Sequence, residues 1–278
     1  MRITTVNLNG IRAAMKRDMK QWLEYEEPAL LLLQEVRADP QIVTDLLGDQ
    51  WRTIVVPCRI KGRAGVAIAV HRDRADLLHC ENINGTDPMD PRTYLYEDEN
   101  DVDSGRWVEA HIETPAGSTL KVVSAYFHSG EKDTPKQEAK MAHMPRISTR
   151  MSELLTQESH ALVAGDFNIV RSRADIKNWT PNHNKSAGVL DEEIAFLEQW
   201  VHEGWHDMMR DLAGDVQGPY TWWSWRGKAF DNDSGWRIDY QYVTPQLAEC
   251  ARSFFIGRAQ SYDQRFSDHA PLSIDYAL

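Results

Sequence analysis

Cysteine is scarce in this chain. Cys58, Cys80 and Cys250 are odd in number, widely separated and without a CxxC pair, which argues against a disulfide framework or a cysteine-bound structural zinc and points to a reducing cytoplasm. Long apolar runs are missing too. No stretch approaches the ~18 residues of a membrane span, and Arg2 leads directly into Ile3-Thr4-Thr5-Val6 without the apolar core of a signal peptide. The chain is therefore expected to be intracellular, with no membrane partner. Positive charge is in deficit, with 31 Lys and Arg against 42 Asp and Glu and a net charge of -11. That balance speaks against a broadly basic surface. Part of the excess is local: Asp87 to Asp103 holds seven acids and a single base, Arg92, and reads as a solvated surface insertion. Repeats, low-complexity tracts and Pro/Ser/Gly-rich linkers are absent, so residues 1–278 are expected to form one domain.

What is present is an alternation of strand and helix patterns. Arg2 to Val6 reads as a strand, Met15 to Glu26 as a helix ending before Pro28, and Ala29 to Leu33 as a buried strand. Further strands are expected at Trp51–Val56, Ala64–Val70, Trp107–Ile112, Leu120–Tyr126, Ala161–Ala164, Ile238–Val243 and Leu272–Ile274. Helices are expected at Pro135–Leu155 and Asp191–Glu203. Mixed strands with helices between them imply an α/β arrangement of stacked sheets flanked by helices. Polar motifs recur where these strands end: Asn7-Leu8-Asn9-Gly10, Gln34-Glu35, Tyr126 and Gly165-Asp166-Phe167-Asn168, while Asp239 lies in the strand Ile238–Val243 and Asp268-His269 in a loop before the last strand. Polar groups gathered at strand ends describe a site on a rigid scaffold.

These residue types suit the hydrolysis of a phosphodiester, which needs positive charge, a positioned water and support for the leaving oxygen. Glu35 suits a hard cation such as Mg²⁺, with Asn7 and Asp268 able to complete its shell directly or through water. The spacing of Asp166 and Asn168 places both on one face of an extended segment, so that Asp166 orients or deprotonates water while Asn168 donates to phosphate. An Asx turn closing the strand is the plainer alternative. His269 benefits from a carboxylate partner, and Asp239 is the best candidate. Four of the ten tryptophans, Trp222, Trp223, Trp225 and Trp236, lie together. They are either core packing or an apolar pocket and stacking surface flanked by Arg226, Lys228 and Arg237 for phosphates.

Taken in order, the motifs resemble those of the exonuclease III type of abasic-site (AP) endonuclease, in the superfamily that includes DNase I-like nucleases. The likeness covers nearly the whole chain. It implies a four-layer α/β sandwich of two packed mixed sheets with helices outside, and a Mg²⁺ cofactor, with Mn²⁺ as a substitute. Glu35 would be the principal metal ligand, with Asn7 and Asp268 nearby. Asp166 would position the attacking water, Asn168 and Tyr126 would contact the scissile phosphate, and Asp239 would support His269. Trp222, Trp236 and Ile238 would match the pocket for a base-free sugar. The implied reaction is cleavage of double-stranded DNA 5′ to an abasic site, with 3′ to 5′ exonuclease and 3′-phosphatase activity at blocked 3′ ends, by a monomeric enzyme. This chain departs from the pattern at His128-Ser129, where the family often has proline and then asparagine or glutamine, and in the acidic insertion. Two other readings stay open: a phosphodiesterase of the same fold with a non-abasic substrate, which the acidic charge favours, and a binding protein that has lost catalysis, which the complete set of polar residues opposes.

Overall fold

A computed structural model describes residues 1–78 and 82–278; Cys80 lies outside the described residues. The described strands are β1 (Arg2–Asn7), β2 (Leu30–Gln34), β3 (Trp51–Val56), β4 (Val66–His71), β5 (Asp76–Leu77), β6 (Trp107–Glu113), β7 (Thr119–Tyr126), β8 (Ala161–Asp166), β9 (His206–Asp207), β10 (Asp239–Val243), β11 (Ala251–Ile256) and β12 (Leu272–Tyr276). They form two six-stranded sheets among the described residues, ordered β11-β12-β1-β2-β4-β3 and β5-β6-β7-β8-β10-β9. Each sheet has one parallel pair at its centre, β1 with β2 and β7 with β8, and its other pairings are antiparallel.

Side-chain alternation produces the layers. In β2, Leu30 and Leu32 pack with Val108, Ile112, Val122 and Leu162 of the facing sheet. Leu31 and Leu33 point the other way, onto Val43 and Leu47 of the helix Pro40–Leu47. A strand covered on both faces can be apolar at consecutive positions. On the far side, Val123, Ala125, Val163 and Tyr242 pack against Met144, Ile147 and Met151 of the helix Pro135–Gln157 and Trp200 of the helix Asp191–Glu203. The order is helix, sheet, sheet, helix, the four-layer α/β sandwich that the motifs implied.

The first expected helix is two pieces, Ile11–Met15 and Met19–Glu26, separated by a turn at Lys16 to Asp18. Apolar periodicity spans such a break because the turn residues are polar and face outward. Among the elements not expected from the sequence are the helix Pro40–Leu47, whose apolar face spans only about two turns, and the edge strand β11, none of whose six residues is fully buried. Among the described residues no helix is long and apolar enough to cross a membrane.

Candidate active site

Strand direction gathers the polar motifs at one end of the sandwich. The parallel pairs β1/β2 and β7/β8 finish there, with Asn7, Tyr126 and Asp166 as last residues and Glu35 one step beyond β2. Their antiparallel neighbours β10 and β12 start there, so Asp239 is the first residue of β10 and Ser267-Asp268-His269 lead into β12. Within one sheet Tyr126 pairs with Asp166 and Asp166 with Asp239. Cross-strand partners share a face, so these three side chains lie side by side at the mouth between the sheets, opposite Asn7.

Backbone shape completes the placement. Asn9, Glu35 and Asn168 have φ of 49°, 47° and 52°, a left-handed conformation that is uncommon outside glycine and clusters at functional sites. Asn168 therefore does not continue an extended segment, correcting the expected geometry of Asp166-Phe167-Asn168. Instead Asp166 Oδ1 accepts the Asn168 backbone N–H at 2.9 Å, an Asx turn, and the Asn168 amide donates to Asp166 Oδ2 at 3.2 Å and to the Phe127 carbonyl at 3.0 Å. The two side chains still meet, by a turn rather than by strand periodicity. Lys140 Nζ donates to the Asn168 carbonyl at 3.0 Å and is itself paired with buried Glu193 at 2.7 Å. At Gly165 a Cβ would lie 1.8 Å from the Ala125 carbonyl oxygen, so only glycine lets β7 and β8 approach closely enough to align Tyr126 with Asp166.

The polar groups form one network. Asn7 Nδ2 donates to Asp166 Oδ2 at 2.8 Å and to Glu35 Oε1 at 3.1 Å. His269 sits between two carboxylates, with Nδ1 2.9 Å from Asp239 Oδ2 and Nε2 3.6 Å from Asp166 Oδ2. Burial raises the Asp166 carboxyl, which the imidazole of His269 partly counters and the charges of Asp239 and Glu35 reinforce. Burial would lower His269, but Asp239 and Asp166 outweigh it and hold the imidazole well above its ordinary range. The Tyr126 phenol is raised by burial and by the charges of Glu35 and Asp166, so it remains an O–H donor; the Arg106 guanidinium lies 4.8 Å from its ring centre. Burial would raise Asp268 as well, yet it is lowered by the charge of His269 and by hydrogen bonds from Trp222 Nε1 at 3.1 Å and Asn9 Nδ2 at 3.0 Å.

The donor set fits a hard divalent cation. The Glu35 carboxylate converges with Asp166 on Asn7, giving oxygen donors of the kind Mg²⁺ prefers. The counter-charge now at Glu35 Oε2 comes from Arg37, whose side chain is 39% exposed and can swing away. Both Asp268 oxygens are engaged by Asn9 and Trp222, so its reach to a cation at Glu35 runs through water or after release of one donor.

Trp222 and Trp236 meet edge to face at 5.6 Å between ring centres, and with Ile238 they pack on Val170, Ile176 and Val189. Both indoles are half-buried, so the three expected pocket residues do form one apolar wall beside His269, which stands 6.5 Å from Trp222. Lys228 is exposed on the following loop. Arg237 requires a correction: it is 0% exposed and donates four hydrogen bonds of 2.7 to 3.0 Å to Asp175 and Asp207. A guanidinium sealed between two buried carboxylates is out of reach of phosphate. A basic residue beside tryptophans gives no sequence signal of which way it points, and the acids that claim it are 62 and 30 positions away.

Several contributors went unnoticed in the sequence. Asn9 links Asp268 to β1, Arg37 caps Glu35, and the Ser267 hydroxyl donates to the Asn7 carbonyl at 2.6 Å. Thr221 Oγ1 accepts the backbone N–H of Asp239 at 3.1 Å, fixing where that carboxylate begins. Arg258 and Arg265 line a cavity of about 580 Å³ with Trp22, Trp223 and Phe230, reaching Asp268 and His269. Asn9 stood within a quoted motif and could have been weighed, and Ser267 adjoins Asp268-His269; the arginines had no motif to mark them.

The sequence profile of the Endonuclease/Exonuclease/phosphatase family matches residues 4–269. The chain is similar to an exodeoxyribonuclease of Bacillus subtilis, 26% identical over 276 residues covering 99% of this chain and 98% of that protein. It is also similar to exodeoxyribonuclease III of Haemophilus influenzae, 27% identical, covering 99% and 100%. Among solved structures it resembles the 3′ phosphatase NExo from Neisseria bound to a product DNA hairpin, with a TM-score of 0.82, 22% identity and full coverage of both chains. An AP endonuclease from Archaeoglobus fulgidus superposes with a TM-score of 0.77 at 22% identity, again over both whole chains.

Proposed function

The chain belongs to the endonuclease/exonuclease/phosphatase family, as a hydrolase of DNA phosphodiesters of the exonuclease III type, and from that premise we propose that it is a Mg²⁺-dependent repair nuclease that cuts duplex DNA 5′ to an abasic site and trims blocked 3′ ends. The observation that carries this reading is the buried line Asp239, His269, Asp166 beside Asn7 and Glu35.

Glu35 and Asn7 would hold the cation, which when bound supplies positive charge against the phosphate oxygens and the departing 3′ oxygen. Asp166, raised by burial, accepts a proton from the attacking water, a role suited to a carboxylate whose ionisation lies near neutrality. His269, kept protonated by Asp239, donates from Nε2 to a phosphate oxygen. Its imidazolium compensates the negative charge that accumulates as water attacks. Asn168 Nδ2 and the Tyr126 hydroxyl donate to the other phosphate oxygens, the amide exchanging its bond to Phe127 for one to substrate. Trp222, Trp236 and Ile238 face the flipped sugar. A base-free nucleotide has lost pairing and stacking and rotates out cheaply, so an apolar wall with little depth selects it.

The test is a labelled duplex carrying one abasic-site analogue, incubated with protein and Mg²⁺ beside the intact duplex and a duplex ending in 3′ phosphate. Cleavage immediately 5′ to the lesion, abolished by chelator and by Asp166→Asn, is the expected result. Hydrolysis of a simple phosphodiester with neither DNA lesion touched would instead assign the site to another substrate.

A further inference from the structure

A second cluster of ionisable side chains lies outside the active site, and it joins the two features by which this chain departs from the family pattern. Asp103 closes the acidic insertion, His128 follows Tyr126-Phe127, and His143 lies in the helix Pro135–Gln157. One ligand atom from each falls within 4.8 Å of the others, and all three residues are buried. His128 Nε2 meets Asp103 Oδ1 at 2.7 Å. The other carboxylate oxygen, Oδ2, accepts the Tyr96 hydroxyl and the Asn100 amide, the latter at 2.8 Å. The His143 ring stands edge-on to His128, 5.1 Å between centres.

His143 is the anomaly. It is 3% exposed, and neither ring nitrogen has a hydrogen-bond partner among the described residues. A neutral imidazole needs one donor and one acceptor partner, and leaving both groups unmet in the interior costs on the order of 1–3 kcal/mol each. Packing does not require histidine here, since a leucine or phenylalanine would fill the volume without that cost.

We propose that Asp103, His128 and His143 bind a structural transition-metal ion of the Zn²⁺ class. Two imidazole nitrogens and one carboxylate oxygen are donors Zn²⁺ accepts, at about 2.0–2.2 Å, with a fourth tetrahedral position for water. Ligand atoms around such an ion stand about 3.3 Å apart, so the set closes by modest side-chain rotation: the Asp103–His128 contact opens and His143 moves inward. Coordination replaces that hydrogen bond, with neutral His128 keeping its ring proton on Nδ1. Tyr96 and Asn100 already hold Oδ2 and leave Oδ1 for the ion, the outer support that ligating carboxylates normally have. Arg106 and Arg146 also stand near His143, and the carboxylate offsets part of their repulsion.

The ion would pin three distant segments. His128 follows Phe127, whose carbonyl receives the Asn168 amide, so the staple fixes the loop that positions Tyr126 and Asn168 without touching substrate. On this reading the acidic insertion serves to deliver Asp103 to the ion.

The experiment is a titration of the full chain, stripped by chelator, with Co²⁺ in excess Mg²⁺ that fills the Glu35 site. One equivalent of Co²⁺ should give the strong visible absorption of a tetrahedral centre, displaced by Zn²⁺, and Zn²⁺ should raise the thermal midpoint. Both responses should vanish in His143→Leu and His128→Asn and persist in Glu35→Gln, while Asn100→Ala should weaken Zn²⁺ binding about 10–100-fold, as loss of an outer partner does. The proposal is overturned by a wild-type chain that gives neither response, by retention of the absorption in His143→Leu, or by its loss in Glu35→Gln alone. Should His143→Leu fail to fold, the wild-type titration and His128→Asn decide the matter.

Discussion

The amide of Asn7 donates to Asp166 at 2.8 Å and so joins the end of β1 in one sheet to the end of β8 in the other. That bond favours the ionised form of Asp166 and lowers it against the raising effect of burial. Asn7→Ala should therefore raise Asp166 further and move the acid limb of the pH–rate profile to higher pH, in addition to weakening the metal site. A variant with reduced rate but an unmoved acid limb would show that Asn7 acts on the metal alone.

The rate itself should follow a bell in pH. Asp166, raised to about 7, must be ionised to take a proton, so activity climbs as pH passes through that region. His269, raised to about 10, must be protonated to donate, so activity falls above it. The two limbs belong to the coupled pair rather than to either group alone. Asp239→Asn removes the main support for imidazolium and should bring the alkaline limb down while lowering kcat roughly 10²–10⁴-fold. An alkaline limb unchanged in Asp239→Asn would sink the assignment of His269 as the donor.

Arg237 predicts a stability effect in place of a binding one. Removing it leaves Asp175 and Asp207 buried around an empty position, and Arg237→Ala should lose about 3–5 kcal/mol in denaturant unfolding. Normal stability combined with weaker DNA binding would return Arg237 to the phosphate-contacting role.

For the apolar wall, Trp222→Ala should reduce discrimination between abasic and intact duplex about 10–200-fold, the range for reshaping an apolar pocket, with the Mg²⁺ dependence of the remaining activity little changed. Trp222→Phe keeps a ring but loses the N–H to Asp268. It should retain most selectivity if the ring does the selecting. Equal losses on both duplexes in Trp222→Ala would mean that the cluster is packing.

How much of this was legible depended on which physical signal each residue carries. The helix Asp191–Glu203 is found where the apolar spacing puts it, because burial on one face writes a period into the chain, and the strand Trp51–Val56 where a short aromatic and β-branched run puts it. Asn7, Glu35, Asp166, Asp239 and His269 could be picked out because their motifs, in order along the chain, together resemble one family's set; singly each reads as an ordinary polar residue. The split at Lys16 to Asp18 and the left-handed turn at Asn168 leave no period. Arg237 and Lys228 have similar sequence surroundings, yet one is sealed and the other exposed. That difference is decided by distant acids. Asp103, His128 and His143 meet only because the insertion, a strand end and a helix converge, which no local pattern encodes.

The Ser267 hydroxyl rests on the Asn7 carbonyl across 260 positions, and β1 lies between β2 and β12. A chain still emerging from the ribosome therefore has Glu35 and Asp166 but neither the strand that completes β1's pairing nor the histidine that serves Asp166. Contacts this distant form late and slow folding, so the polar network at the mouth of the sandwich closes only when the last strand is in place.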